Sequence, residues 1–195
     1  MRLKRPYLWA LVAVIVLVVA FLLSRTENAT AIRFSTTPVT SKAGPEWLYP
    51  DPNRTPGFAN LEITQANIEE TICNPEWHTK SIRPPSSYTS KLKKQQMLSW
   101  GLSGTTTDYE EDHFISLELG GNPTDPRNLW PEPYYPSPGA RQKDVVENYL
   151  HKQVCSGTIT LKAAQDAITT DWYEVYLKIH KKSESDFGAP PSERN

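Results

Sequence analysis

Asp112 and His113 stand side by side ahead of a Gly120-Gly121 pair, Asn128 follows that pair, and Asn148 and His151 lie further along the chain. An aspartate offers a hard oxygen ligand to a divalent cation, and a neutral imidazole can take a proton from water. A further ligand from a rigid neighbouring element would complete a single-metal site for phosphodiester hydrolysis. Successive strand residues point to opposite faces, so Asp112 and His113 share one site only if their strand ends or bulges there. The local acidity of Asp108, Glu110, Glu111 and Asp112 favours a cation and repels a phosphate backbone without one.

The elements that must hold these residues can be read from pattern and punctuation. YEEDHFISLELGG reads as a strand, with Phe114, Ser116 and Glu118 alternating against Ile115, Leu117 and Leu119, and the glycines mark a turn. A short return strand around Asn128 to Trp130 runs into a Pro-rich loop, 131 to 139. A helix from Ala140 to about Cys155 follows. Val146, Leu150 and Val154, with Val145 and Tyr149, form its expected buried side, and Lys143, Asp144, Glu147, Asn148 and His151 form the other. Before the hairpin, helical spacing begins at about Ser90 and Gly101 gives a stop. After it, Thr160 caps a third helix carrying Leu161, Ala164, Ile168 and Trp172. The fold class expected is α+β: a hairpin and helix with flanking helices.

The chain has 195 residues and a formal net charge of -1, which leaves room for one domain plus an appendage. Near-zero charge argues against coating of nucleic acid by bulk electrostatics. The appendage is N-terminal. Arg2, Lys4 and Arg5 precede seventeen uncharged residues, Tyr7 to Leu23, a length that leans towards a spanning helix over a secretory signal. The basic flank keeps that end in the cytoplasm and sends the rest across the membrane. Residues 1–24 are thus expected to be a signal anchor. Cleavage near Ala29-Thr30-Ala31 would instead release a secreted protein. A Pro-punctuated linker, 25–57, leads to a domain over 58–182, and a polar tail, 183–195, follows. Without residues 1–31 the exported part keeps 17 basic against 21 acidic residues. The two cysteines, Cys73 and Cys155, both lie in that part, and an oxidising compartment favours one disulfide between them.

DYEEDHFISLELGGNPTDPRNLWPEPY resembles the core of HNH, or His-Me finger, endonucleases: an Asp-His dipeptide, an apolar strand, Gly-Gly, an Asn-Leu return and a metal-binding helix. From Thr71 to Trp172 the sequence is similar to bacterial exported HNH endonuclease-like proteins, on ICNPEW, RPPSSYT, DHFISLELGG, NLWPEP, GARQKDVVENYLHKQVC and the final AQDAITTDW. The resemblance implies a ββα-metal core with one divalent ion, Mg2+ or similar, and no small-molecule cofactor. It implies that His113 is the general base, that Asp112 is a metal ligand, and that Asn128 braces the loop and orients His113 through a hydrogen bond. The helix ligand stays open between Asn148 and His151, with Glu147 a weaker candidate. The sequence departs from compact members in its inserted Pro-rich segment and in lacking a CxxC pair.

For the nucleic-acid partner the informative stretch is His78 to Thr107, which carries Lys80, Arg83, Lys91, Lys93 and Lys94 and no acidic residue. Such a cluster tracks phosphates without reading sequence, and it competes with the reading of a solvated helix face. Arg83, Lys91, Lys94 and, on the return segment, Arg127 are the candidate substrate contacts. His78 and His180 lie outside the motif. The tryptophans read as core, whereas Tyr134 and Tyr135 could stack on bases. The expected function is metal-dependent endonucleolytic hydrolysis of DNA or RNA at a membrane-anchored, extracytoplasmic domain. The alternative is a non-catalytic exported module that keeps the scaffold to bind an envelope component.

Overall fold

A computed structural model of the protein describes Lys42 and residues 44–187, the side chains of 182–187 excepted. The apolar run expected to anchor the chain, and most of the expected linker and tail, lie outside the described residues. Among the described residues no helix is long and apolar enough to cross a membrane.

The architecture is mixed: helices around a two-stranded antiparallel sheet. Helix α1 spans Ser86–Trp100, strands β1 and β2 span Tyr109–His113 and Leu129–Pro133, and helices α2 and α3 span Ala140–Cys155 and Leu161–Phe187. Helix α1 begins four residues before the expected Ser90. Pro85, with its fixed φ, sits at the cap position and the run after it is free of breakers. Gly101 ends the helix in the left-handed region, at φ 68°. One side of α1 lies on the hairpin, where Gln96 Nε2 donates to the Leu129 carbonyl at 2.9 Å and Lys93 Nζ donates to those of Thr106 and Tyr109, each at 2.7 Å.

The strand expected to reach Leu119 stops at His113. Phe114, Ile115, Ser116, Leu117 and Leu119 are all buried, which a half-exposed alternating strand could not achieve. They form a loop packed on both sides, with short 3-10 turns at Leu117–Leu119 and Pro126–Asn128. Gly121 closes it: its N–H donates to the Ser116 carbonyl at 2.9 Å, and a Cβ there would lie 1.8 Å from the Ile115 oxygen. The early stop is what puts Asp112 and His113 at one cavity. In register, Asp112 faces Trp130 and His113 faces Leu129.

Helix α2 has the expected bounds and carries Val146, Leu150 and Val154 in the core. Two corrections apply to its faces. Val145 is 45% exposed, while Lys143 and Glu147, assigned to the polar side, are buried. Helix α3 is broken at Asp171, which adopts φ -159°, ψ 77°. Its carboxylate accepts from the Glu174 N–H at 2.9 Å, as a cap does for a new helix start, and from the Tyr49 hydroxyl at 2.5 Å. At the other end of α3, the Thr160 hydroxyl accepts from Ala163 N at 3.1 Å, the cap expected from sequence.

The chain from Leu48 to Gly57, expected in the linker, is folded against the domain. Leu48 and Thr55 are buried, Trp172 Nε1 donates to the Leu48 carbonyl at 3.0 Å, and Gly57 N donates to that of Arg127 at 3.0 Å. At the tail, α3 continues to Phe187, past the expected boundary at 182. Cys73 and Cys155 are disulfide-bonded, with Cα atoms 5.3 Å apart, tying the end of α2 to the segment ahead of α1.

Candidate functional site

His113, the last residue of β1, is buried, and its Nε2 lies 3.0 Å from the Pro123 carbonyl. A carbonyl can only accept, so Nε2 carries the proton and Nδ1 keeps its lone pair. Burial, together with the charges of Arg83 and Lys143, lowers the imidazole pKa against the opposing pull of Asp112 and the Pro123 carbonyl. The ring is therefore held neutral at neutral pH, the state a general base requires.

Two cavities meet at this ring. The first, of about 260 Å³, is lined by Thr79, Arg83, Asp112, His113, Ser116, Leu117, Glu118, Asp144, Glu147 and Asn148. The second, of about 320 Å³, lies towards α1 and includes Arg83, Ser86, Thr89, Ser90, Lys93, Glu110, Glu111, His113 and Tyr134. His113 and Arg83 border both. Together the two form a polar depression running past the imidazole with a guanidinium at its edge.

Beneath the first cavity lies a buried ion cluster. Lys143, on the first turn of α2, is 0% exposed. Its Nζ donates to Asp112 Oδ2 at 2.6 Å, to the main-chain oxygen of His113 at 3.0 Å and to Glu147 Oε1, and lies 3.8 Å from Glu132 Oε2. Burial works against the ammonium, but the Asp112, Glu147 and Glu132 carboxyls outweigh it and hold it charged well above the usual lysine range. Burial likewise opposes ionisation of Asp112, yet Lys143 keeps that carboxyl below its ordinary pKa. Glu132 is pushed the other way, well above the carboxylate range, by burial and by the Asp112 charge. Neither of its carboxyl oxygens has a hydrogen-bond partner, so its charged form lacks the support that Lys143 gives Asp112. Burial raises Glu147 to about 7, although Lys143 and the Ser116 hydroxyl favour its charged form. Burial also raises Glu118 and Asp144 at the cavity wall.

The candidate residues divide. Asp112, His113 and Asn148 line the same cavity, and the weaker candidate Glu147 joins them. Asn148 also bonds back along its own helix, Nδ2 to the Asp144 carbonyl at 2.8 Å. His151 does not line the cavity. Its Nε2 lies 2.7 Å from the Ile72 carbonyl and its Nδ1 3.4 Å from Glu118 Oε2, on the disulfide side of α2. Asn128, 0% exposed, braces the loop as expected but does so without touching the imidazole. Its Oδ1 accepts from Ile115 N at 2.9 Å and Phe58 N at 3.2 Å, and its Nδ2 donates to the carbonyls of Ile115 and Asn122, each at 3.0 Å. It positions His113 through the backbone. Among the cations, Arg83 lines the cavities, and Lys91 and Lys94 are exposed on α1. Arg127 is instead paired with Asp125, Nε to Oδ1 at 2.9 Å and Nη2 to Oδ2 at 2.5 Å, and stacks on Phe58.

Lys143 is the residue that spacing could have found, since positions 143, 146, 150 and 154 make one helical stripe and the last three are apolar. Its charge argued for the wrong face. It also decides how a divalent cation fits. Asp112 and Glu147 converge on Nζ, so the place of a shared cation is filled by an ammonium. Among the described residues, the one group of three or more His, Cys, Asp and Glu side chains whose ligand atoms all lie within 4.8 Å of one another is Cys73, His151 and Cys155. Both thiols of that set are spent in the disulfide. The donors around His113 do not fit a divalent cation as they are arranged. Family models, curated proteins and solved structures compared with this chain give no match.

Proposed function

We propose that this chain hydrolyses phosphodiester bonds of DNA or RNA, with His113 activating the attacking water. The observation that carries the reading is the Nε2 bond to the Pro123 carbonyl, which leaves a neutral imidazole with a basic Nδ1 on a residue that lines a polar cavity. The order β1, β2, α2, with an Asp-His pair ending β1, supports a His-Me finger core. Arg83 is the cation suited to hold a phosphate there. His113 takes the water proton as oxygen attacks phosphorus, and the Asp112 carboxylate stabilises the imidazolium that forms. The P–O bond to the leaving oxygen breaks as that oxygen takes a proton from solvent, and His113 releases its own to solvent. Asp112 is the residue that would hold the Mg2+ implied by the resemblance, but it is already bound to Lys143, and no step here passes through the ion. The apolar run 7–23 supports a membrane-anchored, extracytoplasmic setting.

The test is cleavage of plasmid DNA and of RNA by the full chain in detergent, beside His113→Ala. The substitution should slow cleavage by about 10²–10⁴-fold, and equal rates would remove His113 from the chemistry. One observation favours the second reading, a non-catalytic exported module: the acidic lining of the cavity, which repels phosphate. Binding of nucleic acid or envelope material with no cleavage under any condition would select it.

A further inference from the structure

The cavity at His113 faces an electrostatic conflict. A phosphodiester brings negative charge to a wall that already carries Asp112, Glu118, Asp144 and Glu147. A divalent cation usually reconciles such groups in phosphodiester hydrolysis. Here the reconciling charge is covalently part of the chain. Lys143 Nζ has three protons, and Asp112, Glu147 and the main-chain oxygen of His113 take all three. The side chain comes from a rigid helix and is fully enclosed. A Mg2+ in the same cage would need oxygen ligands at about 2.0–2.1 Å in octahedral array, and it could enter only by expelling the ammonium.

We propose that Lys143 permanently occupies the position of the divalent cation beside Asp112 and His113, so that the protein cleaves phosphodiesters without a metal. The proposal rests on the hydrolytic reading above and changes the cofactor, not the base. Lys143 is a positioning residue. Its ammonium is buried beneath the cavity, where it neutralises Asp112 and Glu147 and fixes the carbonyl of the residue that carries the base. Contact with the phosphate falls to Arg83, the one cation among the residues lining that cavity.

The full chain, purified in detergent, is titrated with Mn2+ and the free ion followed by electron paramagnetic resonance. Wild type should retain no Mn2+ in the micromolar range. Lys143→Ala, which leaves Asp112, Glu132, Glu147 and a carbonyl around the vacated space, should gain a site. One tightly held Mn2+ in wild type, lost in Asp112→Asn, would overturn the proposal, and this titration decides even if Lys143→Ala does not fold. Cleavage should change by less than about twofold between EDTA and Mg2+, well under the tenfold that 1.4 kcal/mol represents. Strict dependence on Mg2+ would defeat the metal-free claim and leave hydrolysis standing. Absence of cleavage with and without metal would defeat the hydrolytic reading instead, with the Mn2+ titration still judging the cage.

Discussion

At the scale of single residues the site depends on charge that has been taken out of water. Lys143 is enclosed by carboxyls, and removing one partner of such a cluster leaves the other buried and uncompensated. Lys143→Met should therefore destabilise the fold by about 3–5 kcal/mol in urea unfolding; a change within experimental error would show that the cluster contributes little. Glu111 allows a cleaner test of buried charge. Both its carboxyl oxygens lack a hydrogen-bond partner, and burial raises its pKa to about 8 against the opposing pull of Lys93. The folded state keeps a proton that the unfolded chain releases at about 4.3. Its contribution is complete below that value and is lost as pH rises to about 8. Glu111→Gln should then be close to neutral at acid pH and stabilising relative to wild type at alkaline pH, read as a difference in melting temperature. A difference independent of pH would contradict this. At this scale the sequence was legible where a motif named the residue, as for Asp112 and His113. It misled for Lys143 and Glu147, because residue type argues for exposure and burial is decided by neighbours far along the chain.

The element that matters most is the loop joining β1 to β2. Four hydrogen bonds from the Asn128 amide hold it, linking Phe58, Ile115 and Asn122. Asn128→Ala leaves those buried groups unpaired, at a cost of about 1–3 kcal/mol for each that water does not reach. Cleavage should fall through displacement of His113, and Asn128→Asp, which sets a buried carboxylate oxygen against the carbonyls of Ile115 and Asn122, should not restore the stability. If Asn128→Ala keeps wild-type stability, the brace is not structural. The bounds of α2 were readable because its apolar spacing is regular and Gly139 and Ser156 flank it. The loop was not, because its alternation of Phe114 to Leu119 also fits a buried irregular segment, and only the packing of both faces distinguishes the two. The break at Asp171 escaped for a similar reason: a capping carboxylate inside a helical pattern announces itself only through its partners, Glu174 and Tyr49.

Across the described part of the molecule, distant segments hold the site together. The disulfide between Cys73 and Cys155 closes a loop of sequence separation 82 and anchors the far end of α2, the helix that carries Lys143. Loop-closure entropy gives such a bond about 4 kcal/mol, so reduction should lower the melting temperature. An unchanged value would mean the bond constrains nothing. Leu48, Tyr49 and Thr55 pack from a segment that composition marks as linker, since prolines stiffen a folded strap as readily as a tether. The proposed activity needs these parts at once: β1 ending at His113, the loop braced by Asn128, and α2 held so that Lys143 meets Asp112. The most direct test is cleavage of supercoiled plasmid and of RNA by the full chain in detergent, beside His113→Ala. Wild type should cleave at least one of plasmid and RNA, and the variant should nearly lose that cleavage; equal cleavage by both, or none of either substrate by wild type in EDTA or Mg2+, would contradict the proposed activity.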